Sequence, residues 1–179
     1  MRGKKSLAVA LGALGLAVLG STELAAQEAT APVVCTAPVA PTGELAPWAT
    51  PVAMTAAASD AATARARLPV GQAARLTLLQ TPEVRYPRRP EKPGGSVSHG
   101  GLVRIDVAQA GTYRVALGSA AWVDLVRGGK AAVSINHGHG PDCTGIRKMV
   151  DYKLQRGRYS LQVAANGEPA VTVLVARLP

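Results

Sequence analysis

Apolar and polar residues alternate with a period of two from Leu68 almost to the end of the chain. Successive side chains of a β-strand point to opposite faces, whereas one face of a helix repeats about every 3.6 residues. The alternation therefore indicates strands that are buried on one face. The clearest segments are residues 74–78, 103–107, 113–117, 150–154, 159–163 and 171–175, and residues 122–126 and 131–135 are less one-sided.

Glycine-containing turns separate these segments, for example Gly128-Gly129 and Asn166-Gly167. Many short strands joined by such turns, with almost no helical pattern, are typical of sandwiches and barrels. We therefore expect an all-β domain over residues 67–179. Its predicted architecture is an antiparallel, jelly-roll-like β-sandwich of about eight strands, preceded by an extended N-terminal arm.

Two of the predicted strands begin with the same pattern, Gly-x-Tyr after a turn. Tyr113 lies in GTYRVAL, and Tyr159 lies in GRYSLQV. A tyrosine at the end of a sandwich can bury its ring while its hydroxyl bonds to the backbone. We expect this structural role for both residues.

The N-terminus has the pattern of a secretory signal peptide. Arg2, Lys4 and Lys5 precede an uncharged apolar run, and small residues suited to cleavage follow it. The run is shorter than the ~20 residues of a membrane-spanning helix. We expect residues 1–26 to be removed, which predicts a periplasmic or secreted protein that is not transmembrane after cleavage. An uncleaved anchor is the alternative.

Residues 27–66 form the predicted arm. Prolines recur along it and exclude a long helix there. Trp48 lies between two of these prolines, and we expect it to pack onto the domain. A short helix is predicted within residues 59–67, capped by Ser59 or Asp60.

The chain has two cysteines, Cys35 in the arm and Cys143 in a distant glycine-rich run. Disulfides persist in oxidising compartments, so export favours a Cys35–Cys143 bridge and a monomer. Closing a loop of about 100 residues stabilises the fold by roughly 4 to 5 kcal/mol in the chain-entropy model. Two free thiols or an intermolecular pair are the alternatives.

The chain is strongly basic, with a net charge of +9. Such a charge attracts anionic partners. Nucleic acid is not expected, because export is predicted and no basic helix interleaved with aromatics is present. An anionic envelope polymer or another envelope protein is the expected partner. The candidate binding residues lie in two loops and are Arg85, Arg88, Arg89, Lys92, Arg147 and Lys148.

The run HGHGPDC contains the only spacing typical of a metal site. His137 and His139 would face the same side of a strand, and His99 and Asp142 are candidates for further ligands of Fe, Cu or Zn. Glycines 138 and 140 favour a different interpretation, a structural loop with positive φ angles that is held by a Cys143 disulfide. On that interpretation no cofactor is expected.

Several segments resemble a small group of exported bacterial proteins, some of them labelled homogentisate 1,2-dioxygenase. The resembling segments are EKPGGSVSHGGL, GTYRVALGSAAWVDLVRGGK, HGHGPDCTGIRKMVDY, GRYSLQVAANG and VLVARLP. The group shares an arm with residues like Cys35 and Trp48. The resemblance implies a metal-dependent, cupin-like dioxygenase acting on an aromatic diol. However, the cupin His-x-His is followed by a Glu a few residues later, and no Glu follows His139 before Glu168.

Two functions are therefore expected at this stage. The first is an exported, non-catalytic β-sandwich module that binds an anionic envelope component or a protein partner. The alternative is the cupin-like dioxygenase that the resemblance implies. No catalytic residue is assigned, because the sequence has no G-x-S-x-G, P-loop or dinucleotide-binding motif.

Overall fold

The computed structural model describes residues 33–179, and the predicted signal peptide lies outside the described residues. Eleven strands form in this part of the chain, together with three short 3₁₀ helices. The strands are β1 Val52–Thr55, β2 Ala73–Thr77, β3 Leu79–Gln80, β4 His99–Val107, β5 Gly111–Leu117, β6 Trp122–Arg127, β7 Lys130–Ala131, β8 Ser134–Gly138, β9 Lys148–Leu154, β10 Gly157–Asn166 and β11 Ala170–Arg177. The helices are Gly43–Ala49, Ala61–Arg65 and Thr81–Glu83.

The strands form two sheets of an all-β sandwich, which confirms the predicted fold class. The six-stranded sheet has the order β1-β2-β11-β5-β9-β8, and the five-stranded sheet has the order β3-β4-β10-β6-β7. Neighbouring strands are antiparallel except β1 and β2, which pair in parallel. Non-consecutive neighbours such as β11 and β5 show that the chain crosses repeatedly between sheets.

The core lies between the two sheets, where the alternating apolar side chains meet. Val115 and Val173 of the six-stranded sheet are fully buried, and so are Ile105 and Leu161 of the five-stranded sheet. Burying each such side chain contributes about 1.5–3 kcal/mol, so the period-two pattern is also the main source of stability.

The arm covers the outer face of the six-stranded sheet. Leu45 and Trp48 are buried there, against Ala116 and Leu174. The Trp48 indole Nε1 also donates a 3.0 Å hydrogen bond to the carbonyl of Thr144. Trp48 therefore packs onto the domain, as expected.

A second part of the arm closes one side of the sandwich, along the free edge of β4. Ala57 and Leu102 exchange backbone hydrogen bonds, and Arg104 N–H donates to the carbonyl of Ala66. Ala57, Ala66 and Leu68 are buried in the main core. The arm is thus less extended than predicted, since it also contributes β1 and two 3₁₀ helices.

The short helix predicted within residues 59–67 is present as the 3₁₀ helix Ala61–Arg65. Neither predicted capping residue makes a capping bond. Asp60 occupies the cap position with helical dihedral angles, so its carboxylate turns away from the helix and accepts a hydrogen bond from the Ser160 hydroxyl. Asp60 therefore fixes the arm to the five-stranded sheet.

The two Gly-x-Tyr strands behave as expected. The hydroxyl of Tyr113 donates to the carbonyl of Gln109 at 2.7 Å, and that of Tyr159 donates to the carbonyl of Gln155 at 3.1 Å. In both cases the acceptor lies four residues earlier, across the turn. Both rings are buried in the main core.

The prediction of one strand over residues 131–135 is wrong. Its first residue belongs to β7 in the five-stranded sheet, and its last two belong to β8 in the six-stranded sheet. Residues Ala132 and Val133 cross between the sheets. The poor alternation in this segment has a physical cause, because the chain changes its partner sheet midway.

The predicted cysteine pairing agrees with the structure. The sulfur atoms of Cys35 and Cys143 lie 2.10 Å apart, which is the distance of a disulfide, and their positions in the chain differ by 108. Next to this pair, the Val39 N–H donates to the carbonyl of Cys143 at 2.8 Å.

Within residues 33–179, no helix is long and apolar enough to cross a membrane.

Candidate functional site

The sandwich is open at the β6 edge of the five-stranded sheet, opposite the β4 edge that the arm covers. Strand β7 pairs only with Val126 and Arg127, at the end of β6. Within residues 33–179, no strand pairs on that side with the first half of β6. A cleft of about 400 Å³ lies at this edge and is lined by residues of both sheets. We call it the Trp122 cleft, and it is lined by Lys92, Trp122, Val123, Asp124, Ala132, Ser134, His137, Lys148, Val150 and Tyr152.

Two side chains of the six-stranded sheet cross the cleft to the open edge of β6. The Tyr152 hydroxyl donates to the carbonyl of Val123 at 3.1 Å. The Lys148 ammonium donates to the carbonyl of Ala121 at 3.0 Å. These bonds satisfy carbonyl groups that a neighbouring strand would otherwise satisfy.

A β-bulge in β8 shapes one wall of the cleft. Ser134 pairs with Tyr152 and His137 pairs with Val150, so one residue of β8 is left over between them. In a regular strand, residues three apart would face opposite sides. The bulge brings both Ser134 and His137 to the wall of the cleft, beside Tyr152 and Val150. Both side chains are exposed.

Two ammonium groups converge on the indole of Trp122. The Nζ atom of Lys92 lies 5.7 Å from the centroid of the Trp122 ring, and that of Lys148 lies 5.4 Å from it. Both distances allow a cation–π attraction. Lys92 belongs to the proline-rich loop before β4, whereas Lys148 begins β9. The structure therefore brings together one residue from each of the two predicted basic loops.

Hydrogen bonds hold the Trp122 ring in place from the outer face of the five-stranded sheet. The indole Nε1 donates to Asp124 Oδ2 at 2.9 Å. The fully buried Gln162 donates from Nε2 to the same oxygen at 2.8 Å and to the carbonyl of Arg88 at 3.0 Å. Gln162 thus connects the proline-rich loop to the floor of the cleft.

The environment of the cleft shifts two pKa values. Burial lowers the pKa of the Lys148 ammonium, and the nearby charge of Lys92 lowers it further, while Asp124 acts in the opposite direction. Burial and the charge of Asp124 raise the pKa of the Tyr152 hydroxyl. The first shift disfavours further positive charge near Lys148, and the second disfavours a negative charge on the Tyr152 oxygen itself. An anion placed between the lysines would instead stabilise the charged form of Lys148.

The other predicted basic residues lie outside the Trp122 cleft. Arg85, Arg88 and Arg89 are exposed on the proline-rich loop. Arg147 lies beside a separate, smaller cleft that contains His139 and the disulfide. Its carbonyl lies 3.1 Å from the Nδ1 atom of His139.

The structure does not bring the predicted metal ligands together. His137 lines the Trp122 cleft, His139 and Asp142 lie at the smaller cleft, and His99 begins β4 in the other sheet. In the part of the chain that the structure describes, no group of three or more His, Cys, Asp or Glu side chains is placed to hold a metal ion. The His-x-His spacing fails because β8 ends at Gly138, between the two histidines.

The glycines of the HGHGPDC run have roles that differ from the prediction. Gly138 ends β8, so this part of the run is strand, and neither Gly138 nor Gly140 has a positive φ angle. Positive φ angles occur instead at Cys143 and Gly145. At Gly140, a β-carbon would lie only 2.6 Å from the carbonyl oxygen of Ile146. Close approach of the chain, and not a turn, requires that glycine.

Sequence reasoning missed the aromatic and acidic residues at the centre of the cleft. Trp122 and Asp124 stand two residues apart on β6, so they face the same side, and Gln162 pairs with Asp124 on β10. Asp124 and Gln162 are polar residues within strands, and their positions could have indicated a polar group on the outer face of the sheet. Nothing local indicated that Lys92 and Lys148 would reach the same ring, since they lie far apart in the chain.

No known protein-family model matches this chain, and no curated protein matches it significantly. The resemblance to exported bacterial proteins therefore stays a prediction.

Proposed function

We propose that the protein is an exported, non-catalytic binding module and that its ligand is an anionic component of the cell envelope. The ligand binds in the Trp122 cleft, with its negative charge between Lys92 and Lys148. The disulfide-distance pair of Cys35 and Cys143 supports export, since such bonds persist mainly in oxidising compartments.

One observation carries this proposal. The ammonium groups of Lys92 and Lys148 approach the same indole, yet neither has a carboxylate within 4.0 Å among the described residues. The salt bridges in residues 33–179 all use arginines, namely Arg67, Arg104 and Arg114. The charge of Lys92 disfavours the charged form of Lys148, and Asp124, the smaller of the two effects, offsets this in part. A bound anion would offset the rest.

The charge of the whole chain supports the same conclusion. Lysine and arginine number 20 against 11 acidic residues, which gives the net charge of +9. Such an excess raises the rate at which anionic polymers meet the protein, in a way that salt screens. The two lysines of the cleft then add a local attraction at one defined place.

The proposal is tested by measuring the binding of polyanions by fluorescence anisotropy as the NaCl concentration is raised. Polygalacturonate, polyglutamate and polyphosphate serve as probes. We expect binding of at least one of them, weakening with salt, and a loss of about tenfold in affinity in each of Lys92→Ala and Lys148→Ala.

Lys130→Ala and Lys153→Ala provide matched controls. Both lysines are exposed, and neither lines the cleft. Each control removes the same charge as the test variants, so we expect only the small effect of a change in net charge. Equal losses in the four variants, or no binding of any polyanion, would contradict the proposal.

A further inference from the structure

We infer that the Trp122 cleft binds an acidic sugar, a pyranose that carries a carboxylate. This inference rests on the proposed function, and it adds the chemical class of the ligand. The ring of the sugar lies against the indole of Trp122, its carboxylate lies between Lys92 and Lys148, and its hydroxyl groups bond to the polar side chains of the walls.

The mixed lining of the cleft suits a sugar better than a simple anion. A pyranose has apolar C–H faces and a rim of hydroxyl groups. The half-buried side chains of Trp122 and Ala132 offer apolar surface, while Ser134 and His137 offer exposed groups that bond to hydroxyls. Ligand sites in general combine an apolar wall with a few placed polar groups in this way.

Asp124 distinguishes a carboxylated sugar from a phosphate. Its Oδ2 atom accepts hydrogen bonds from both Trp122 and Gln162, whereas its Oδ1 atom accepts none from the described residues. Oδ1 is therefore available to accept a hydrogen bond from a ligand hydroxyl. A phosphate group at neutral pH carries up to two negative charges and few protons to donate, so a carboxylate in the lining disfavours it.

The positions of the two lysines fit a carboxylate on a ring that contacts Trp122. Their Nζ atoms lie 5.7 Å and 5.4 Å from the centroid of the indole, so a ligand against that ring is within reach of both charges. Lysines are compact point charges on flexible chains, so they can follow a carboxylate without one fixed geometry.

The inference can be tested by NMR, because the chain has two tryptophans and both indole N–H groups are hydrogen-bonded. Trisaccharides of galacturonate, glucuronate and mannuronate are titrated into ¹⁵N-labelled protein. We expect the indole signal of Trp122 to shift with at least one of them. The signal of Trp48, which belongs to the arm and is buried against the six-stranded sheet, should stay in place and serves as an internal control.

Three comparisons sharpen the test. The carboxyl-reduced trisaccharide should bind at least tenfold more weakly than the acid. Trp122→Leu should lose tenfold or more in affinity for the acid, and Trp122→Phe should retain part of it because a flat ring remains. Asp124→Asn should weaken the trisaccharide but should leave the binding of polyphosphate unchanged or stronger. Circular dichroism of each variant checks that the fold is kept.

The inference is overturned if no acidic trisaccharide binds, if polyphosphate or polyglutamate of equal charge binds as tightly, or if Trp122→Leu leaves the affinity unchanged. These outcomes do not decide the proposed function. That function fails only if no polyanion shows binding that depends on Lys92 and Lys148, so the two failures can be told apart.

Discussion

The two glycines of the HGHGPDC run show how much a single side chain depends on its neighbours. A β-carbon at Gly138 would meet nothing within 4 Å, whereas one at Gly140 would meet the backbone and side chain of Ile146. Ile146 is buried, in the cluster that also holds Trp48. Identical residues two positions apart therefore have opposite tolerance, and composition alone does not reveal which of them is required.

We predict that Gly140→Ala destabilises the protein and that Gly138→Ala does not. The added methyl group at residue 140 must push Ile146 away, and such overpacking costs about 1–3 kcal/mol. At residue 138 the methyl group has room on a strand, where alanine is favoured over glycine by about 0.5–1 kcal/mol. Urea denaturation measures both free energies of unfolding. Equal effects of the two substitutions would show that residues 140 and 146 do not approach so closely.

At the level of strands, alternation predicts an element correctly where the whole segment lies in one sheet. The alternation of residues 159–163 continues through β10, which pairs with strands on both sides, and the prediction is confirmed there. The alternation cannot report a change of sheet, so the crossing at Ala132 and Val133 was missed. Strand β1 was also missed, because its burial pattern is almost fully exposed and gives no alternation.

The site was harder to predict than the fold, for a related reason. Local charge and spacing identify Lys92, Lys148 and His137 as candidates, without indicating that they lie together. Their grouping around Trp122 depends on the bulge in β8 and on the end of β7, which are tertiary features. Local patterns identify which residues carry chemistry, whereas long-range pairing decides which of them meet.

The disulfide joins two elements, the arm and the loop after β8, and we predict its contribution from its span. Cys35→Ser and Cys143→Ser should each lower the free energy of unfolding by the same amount, up to about 4–5 kcal/mol, because either change removes one crosslink. The double variant should be no less stable than the single ones. Urea denaturation with and without reductant measures this. Reductant should bring the wild-type protein to the stability of the variants and leave the variants unchanged.

The two edges of the sandwich differ: one is covered by another part of the chain, and the other is largely open. On the β4 side, the segment around Ala57 and Leu68 pairs with the edge strand and contributes to the main core. On the β6 side, β7 covers the end of the strand. In the part of the chain that the structure describes, the side chains of Lys148 and Tyr152 bridge the first half of the edge, beside the cleft. A ligand bound at such an open edge would contact groups that no strand pairs with, so the core would not have to open.

Because the arm completes the core, we predict that it unfolds together with the sandwich in one cooperative transition. Trp48 reports on the arm and Trp122 reports on the open edge, and the chain contains no other tryptophan. In Trp122→Phe the fluorescence of Trp48 should change at the same urea concentration as the far-UV circular dichroism. The same should hold for Trp122 fluorescence in Trp48→Phe, although that variant will be less stable because it loses the bond to Thr144.

A change in Trp48 fluorescence at lower urea than the loss of β structure would mean that the arm detaches first. The buried contacts of Ala57 and Ala66 would then contribute less to the core than their burial implies.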